Sequence, residues 1–399
     1  MWHNSSVPES ATHQFQCNRR AFLRRSVVLA AGAPLALSGL AALAGQSPVS
    51  PSLRSKANVA IVPCHGYGPE VTAALKKCFD LAGGIDSLVR NKTVTVKLNL
   101  TGLDFTPFLG RPVGETYMTH SATVMALLSL LFAAGAVRVR LVESNPTMAD
   151  LPETLTSGGW DVKAINALGR VEYENTRNLG VGKSYAQLKV PSGGYMFSSF
   201  DLNHSYHDTD VMISLAKLKR HLSAGVTLSM KNLFGITPNS LYGSEAGSEK
   251  AIDGRLPLHS QDSYEKIILP GLRPDVKIHD PFARVPRIVV DVCSARPIDL
   301  AIVDGISAMT VGEGRWCNFA GNMKVTTPGV LIAGLNPVST DTVATAVMGY
   351  NPRAARGAKP FENCDNYLLL AEQAGLGVAD LAQIDIRGMT IDQARYPYD

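Results

Sequence analysis

Apolar and polar positions along this chain follow two rhythms. Short runs rich in β-branched residues recur at Val59–Cys64 (VAIVPC), Thr93–Leu100 (TVTVKLNL), Val137–Ser144 (VRVRLVES) and Asp210–Lys219 (DVMISLAKLK). Two more follow at Leu300–Ile306 (LAIVDGI) and Pro328–Leu335 (PGVLIAGL). Each has the length and composition of a buried strand. Helical rhythms lie between them. GPEVTAALKKCFDLAGG puts Pro69 in a first turn and glycines after the last. SATVMALLSLLFAAGA, from Ser121, is apolar nearly all round and predicts a buried helix. SAGVTLSMKNLFG predicts a helix capped by Ser223 and closed by Gly235. STDTVATAVMG carries a start signal at Ser339–Asp341, with Asp341 read as an N-cap. NCDNYLLLAEQAGLG predicts a helix ending in glycines, and AQIDIRG a last strand. Residues 145–205 read as an irregular insertion and residues 236–285 as loops. Strand and helix alternate, which predicts an α/β fold: a mixed, mostly parallel sheet with helices on both faces.

The first 44 residues break this pattern. NRRAFLRR (Asn18–Arg25) precedes an apolar stretch from Val27 to Leu43, which ends in ALA (Ala42–Ala44). A basic start, a modest apolar centre and small residues at the close predict a cleaved secretion signal, and the paired Arg19–Arg20 predicts twin-arginine export. Pro34, Gly32 and Gly39 make the stretch a poor anchor. The expected protein is therefore exported or periplasmic, with the twin-arginine translocase as a transient partner and no stable membrane anchor. Residues 45–57 read as a flexible leader and 58–399 as one domain. Residues 1–44 hold Glu9 and four arginines, so the whole-chain charge of +4 leaves about +1 for the rest. A near-neutral body argues against nucleic acid as a partner. Five cysteines follow the leader, at Cys64, Cys78, Cys293, Cys317 and Cys364. None forms a C-x-x-C pair, so no iron–sulfur cluster is expected.

Against that neutral background, SLAKLKRHLSAGVTLSMKNLFG (Ser214–Gly235) concentrates Lys217, Lys219, Arg220, His221 and Lys231 in apolar sequence. Strand alternation predicts that Lys217, Lys219 and His221 line one side at a strand's C-terminal end, the end that faces the ligand crevice in open α/β sheets. The following helix would aim free N–H groups there too, with Lys231 and Asn232 further along it. Converging buried ammonium groups require bound negative charge or acidic partners; lysine stems that carry their heads to solvent are the plainer alternative. Lys97 and Asn99 alternate on VKLNL and would add polar groups to the same crevice. Asp304, ending LAIV and preceding Gly305, suits a divalent-metal ligand or a general base, or a simple turn. HSYHD (His204–Asp208) reads as loop histidines before it reads as a metal pair. GVGKS (Gly180–Ser184) fails as a phosphate loop because Arg177 stands where the first glycine belongs. GEGRW (Gly312–Trp316) is a glycine loop able to close over a ligand. No G-x-S-x-G or G-x-G-x-x-G signature is present.

Taken together, K-x-K-x-H at Lys217–His221 followed by K-N-x-x-G at Lys231–Gly235 resembles the signature of the DUF362 family, and VKLNL, IVDGISAM and IAGLNPVSTDTVATAVMG resemble further blocks in the same order. The resemblance spans roughly residues 58–390. It implies no reaction, since the family is of unknown function. Leu98, Arg220 and Arg315 depart from the common pattern, while Lys217, Lys219, His221, Lys231, Asn232 and Asp304 keep to it.

The expectation is an enzyme acting on a small anionic molecule, with Lys217, Lys219, His221 and Asp304 as catalytic groups. Lys97, Asn99, Lys231 and Asn232 would bind the ligand, and Asp304 would hold any metal. A non-catalytic binding protein for an anion or metal is the alternative. A structural protein whose lysines meet internal carboxylates is a third.

Overall fold

A computed structural model describes residues 57–398 apart from 261–263, 265, 319 and 320. The expected signal and almost all of the leader lie outside the described residues. Among the described residues fourteen strands form: β1 (Ala57–Pro63), β2 (Thr93–Lys97), β3 (Arg138–Glu143), β4 (Val171–Asn175), β5 (Ala186–Lys189), β6 (Ser199–Leu202), β7 (Val211–Lys217), β8 (Arg220–His221), β9 (Gly225–Val226), β10 (Leu300–Gly305), β11 (Ala308–Met309), β12 (Val325–Thr326), β13 (Val330–Gly334) and β14 (Ile384–Gly388). Eight make one sheet in the order β14-β1-β13-β10-β7-β2-β3-β4. Only β13 runs against the rest, antiparallel to both β1 and β10. The fold is thus the expected mixed, mostly parallel α/β sheet.

Period-two alternation sends successive side chains to opposite faces, and both faces are buried. Ala60, Val62, Val94, Val96, Val211, Ile213 and Leu215 pack on one side with α1 (Glu70–Ala82) and α2 (Ser121–Ala133). Val59, Ile61, Met212, Ala301 and Val303 pack on the other with α3 (Leu228–Asn232), α4 (Pro281–Ala295), α5 (Pro337–Val347) and α6 (Tyr367–Gln373). Helix α1 ends where the sequence placed its glycines: Gly83 is left-handed (φ 115°), and Gly84 N–H donates to Phe79 O at 2.8 Å. Among the described residues no helix is long and apolar enough to cross a membrane.

Three expectations need correction. The region 145–205 is not only an insertion: β4 within it joins the main sheet, parallel to β3, with helices at Leu151–Ser157 and Val162–Asn166 before it. Its edge position leaves it half-exposed, so VEYEN lacks an apolar run. Only β5 and β6 stand apart, as a hairpin. The helix expected over 223–235 begins only at Leu228, running as α-helix to Asn232 and then as a 3-10 turn over Leu233–Ile236. Gly225 (φ 75°) and Val226 pair back onto Arg220 and His221 instead, and Ser223 N–H donates to His221 Nδ1. Asp341 is not an N-cap. Asn336 caps α5 by accepting from Ser339 N at 2.9 Å, and Asp341 lies a turn inside.

Helix α4 was missed because Pro286 stands inside it. Proline removes the bond to the carbonyl four residues back. Here Phe282 O instead accepts from Asp365 N at 3.0 Å, so the break leaves no unpaired carbonyl.

Candidate active site

The parallel strands end together. Lys97, Glu143, Lys217 and Gly305 close β2, β3, β7 and β10, and the segments that follow them carry nearly all the unusual polar groups. Two clusters form at this edge, both inside the fold.

The first is built on the α1–α2 side. Residues 211, 213 and 215 face that side, so Lys217 does as well. Its ammonium lies 3.3 Å from Asp304 Oδ2 and donates to Tyr67 Oη at 2.7 Å and Gly114 O at 2.9 Å. Asp304 is saturated in turn. Tyr67 Oη donates to Oδ1 at 3.0 Å, Thr123 Oγ1 to Oδ2 at 3.1 Å, and Ile306 N to Oδ1 at 3.1 Å. Lys217 is fully buried and Asp304 1% exposed. Burial pulls Lys217 below the ordinary lysine range, opposed by Asp304. Burial and the same carboxylate push the Tyr67 phenol well up, so it remains a donor. His120 stacks flat on Tyr67 at 3.7 Å. Its Nδ1 accepts from Ala122 N, which places its own proton on Nε2; burial and Lys217 bring it down to about 4. A cavity of about 110 Å³ opens beside it, lined by Leu100, Gly114, Thr119, His120 and Trp160.

The second cluster lies beyond β7. The strand ends at Lys217: Lys219 lies between it and the β8–β9 hairpin, and His221 lies in the hairpin. Lys219 Nζ donates to Gly312 O at 2.9 Å. Lys231 rests over the Phe234 ring at 4.3 Å, a contact worth about 0.5–2 kcal/mol. The loop GEGRW brings Glu313 against His221, Oε1 to Nε2. Because His221 Nδ1 accepts from Ser223 N, Nε2 carries the proton that faces Glu313. Burial, reinforced by Lys231, lowers His221 to about 4, so near neutrality it is an uncharged donor. Burial also brings Lys219 and Lys231 down to about 8, each held up in part by Glu313. His221 first, and then Lys231, hold the Glu313 carboxyl well below the usual range despite burial. Glu313 still keeps 32% of its side-chain surface open, so water reaches this cluster.

Lys97 belongs to neither excess. It is neutralised by Glu143 Oε1 at 2.5 Å, and Glu143 also accepts from Ser144 N and Leu100 N. Asn232 Nδ2 reaches Lys97 O at 3.4 Å and Ser214 Oγ at 3.1 Å. Asn99 N donates to Thr119 Oγ1 at 2.6 Å and Asn99 O accepts from Thr119 N at 3.0 Å, while its side-chain oxygen is unpaired.

Two chemical expectations do not survive this geometry. The N-terminal N–H groups of α3 do not await a ligand. Asp341 takes Ser229 N and Met230 N, each at 2.9 Å, and Ser229 Oγ. That grip also holds Leu228 in the left-handed region (φ 44°), which costs a leucine about 1–3 kcal/mol. A metal at Asp304 does not fit either. Both carboxylate oxygens already meet donors, and Lys217 occupies the side a cation would need. Among the described residues no three His, Cys, Asp or Glu side chains form a metal cage. His204 and Asp208 bond each other within their own turn at 3.4 Å.

Sequence reasoning missed Glu313, Glu143, Tyr67 and His120. Glu143 ends a strand as Asp304 does, and the strand-end rule applied to Asp304 finds it as well. Glu313 had only its glycine neighbours as a signal.

The family model described as a domain of unknown function (DUF362) matches residues 94–346. Among curated proteins nothing matches the chain. Solved structures similar to it include the lactate racemase apoprotein from Thermoanaerobacterium thermosaccharolyticum, at 14% identity and TM-score 0.35, covering 69% of this chain and 54% of that one. A protein from Thermotoga maritima is similar at 12% identity and TM-score 0.36, covering 76% of this chain and 58% of that one. The chain therefore spans a little over half the length of each.

Proposed function

We propose, from the premise that this chain belongs to the DUF362 family of unknown function, that its second cluster binds a small anion and acts on it as an enzyme. One observation carries the reading. Lys219 and Lys231 are buried beside a single carboxylate, Glu313, whereas Lys217 and Lys97 each have one of their own. Buried positive charge left in excess is costly, and a carboxylate or phosphate guest offsets it.

The groups have distinct roles. Lys219 and Lys231, drawn down to about 8, are the side chains whose protons lie nearest to balance at neutral pH. They would neutralise the anion and protonate or stabilise charge that develops on it. His221, held by Ser223 in the tautomer with its proton on Nε2, would donate that proton to Glu313 and fix the carboxylate beside the lysines. Glu313, charged and water-accessible, would orient His221 and yield part of its hold on the lysines to the guest. Lys217 and Asp304 would support the site from the closed cluster. We propose export through the twin-arginine pathway on the sequence of residues 18–44 alone.

Native mass spectrometry of the exported protein tests the reading. A stoichiometric anionic adduct that is lost in Lys219→Ala supports it. An adduct-free wild-type chain that also gains no thermal protection from phosphate or carboxylate anions counts against it. Turnover in a substrate screen then separates an enzyme from a passive binder.

A further inference from the structure

Beside the charged cluster lies a second set of groups whose hydrogen bonds go nowhere. Asn145 is fully buried, yet neither its side-chain nitrogen nor its oxygen has a partner. The side-chain oxygens of Asn99 and Asn232 are likewise unpaired, in residues 8% and 4% exposed. Buried amides without partners are rare in folded chains. Four unpaired amide atoms in three residues at one edge call for a ligand.

Backbone geometry places them together. Strands β2 and β3 pair in parallel up to Lys97 and Val142. Beyond that pair, Leu98 N donates to Val142 O at 3.0 Å, and Glu143 bonds Lys97, Leu100 N and Ser144 N at once. This carboxylate staples residues 97–100 to 143–144, and so draws together the segments that carry Asn99 and, one residue further on, Asn145. Asn232 joins them through its bond to Lys97 O. Lys97 is spent on Glu143, so it offers this patch no free charge of its own. It still adjoins the charged cluster, since Lys97 is among the charges that lower Lys231.

We infer that the anion is hydroxylated, of the sugar-phosphate or sugar-acid class. This inference rests on the anion reading above. Its charged end would meet Lys219 and Lys231, and its hydroxyls would meet the asparagines. The unpaired atoms decide the class. Asn99 Oδ1 and Asn232 Oδ1 need donors, while Asn145 offers both a donor NH2 and an acceptor oxygen. A hydroxyl supplies both functions in one group. A bare phosphate or simple carboxylate leaves the amides unpaired.

Titration calorimetry with inorganic phosphate and with glycerol 3-phosphate tests this, on the wild-type chain, Asn145→Ala and Lys219→Ala. The expected wild type prefers glycerol 3-phosphate by about tenfold, the weight of one or two hydrogen bonds. Asn145→Ala abolishes the preference, leaves phosphate affinity unchanged, and leaves the melting temperature level or raised, because it removes an unpaired amide. Lys219→Ala weakens both ligands. Equal affinity of the wild type for the two probes overturns the inference while the anion reading stands. A lowered melting temperature in Asn145→Ala with the preference intact assigns the amides to internal water and also overturns it. Failure of both probes to bind removes the anion reading and this one with it.

Discussion

Lys217 and Lys219 are two residues apart and both buried, but their surroundings are opposite. Lys217 faces one side of the sheet and meets a carboxylate, a phenol and a carbonyl, with Asp304 held by three further donors. Lys219 lies past the end of the strand, bonded to one carbonyl, and shares Glu313 with Lys231 and His221. The first environment is complete and the second is short of negative charge. Residue type and burial alone therefore do not mark a functional lysine. The balance of partners does.

The closed pair should break hardest. Asp304→Ala leaves Lys217 buried without its counter-ion, and should lower unfolding stability by about 3–5 kcal/mol in a urea titration. Lys219→Met should act the other way round. It removes excess charge, so stability should shift by no more than about 1 kcal/mol, while protection by added phosphate should vanish. A matching stability loss in both variants would erase the distinction between the clusters.

Smaller effects follow from pH. In the folded chain Lys219 and Lys231 sit at about 8, against an ordinary 10.5. Between those values the unfolded chain binds more protons than the folded one, so the contribution of this pair to stability should rise across pH 8 to 10.5. Anion binding should fall over the first part of the same window, as the free lysines lose their charge. The smallest change concerns Glu313→Gln. Glu313 holds both lysines up, so its loss should move the alkaline limb of phosphate binding to lower pH, readable from thermal shifts at a series of pH values.

Much of this contrast was visible in the chain itself. The sheet was legible because its strands are buried on both faces and spell continuous β-branched runs, as in LAIVDG and VLIAG. The edge strand VEYEN was not, since exposure replaces the apolar run with glutamates. Helix α4 was hidden by Pro286, whose lost bond is made good by Asp365, a residue 79 positions on. The lysines of the candidate site stood out as charge in apolar sequence. Their partners did not, because Glu313 and Tyr67 reach them from loops whose glycine-rich sequences fix no direction. Asp341 shows the same limit: its place in the sequence suggested a helix cap, and only tertiary packing turned it towards another helix's N-terminus.

The most direct test of the central claim is phosphate titration by calorimetry at pH 7 and pH 9.5, on the wild-type chain and on Lys219→Ala/Lys231→Ala. Saturable binding at pH 7 that is weakened at pH 9.5 and absent from the double variant is the predicted result. Binding that persists in the double variant, or a wild-type chain that takes up no phosphate at either pH, contradicts an open cationic site.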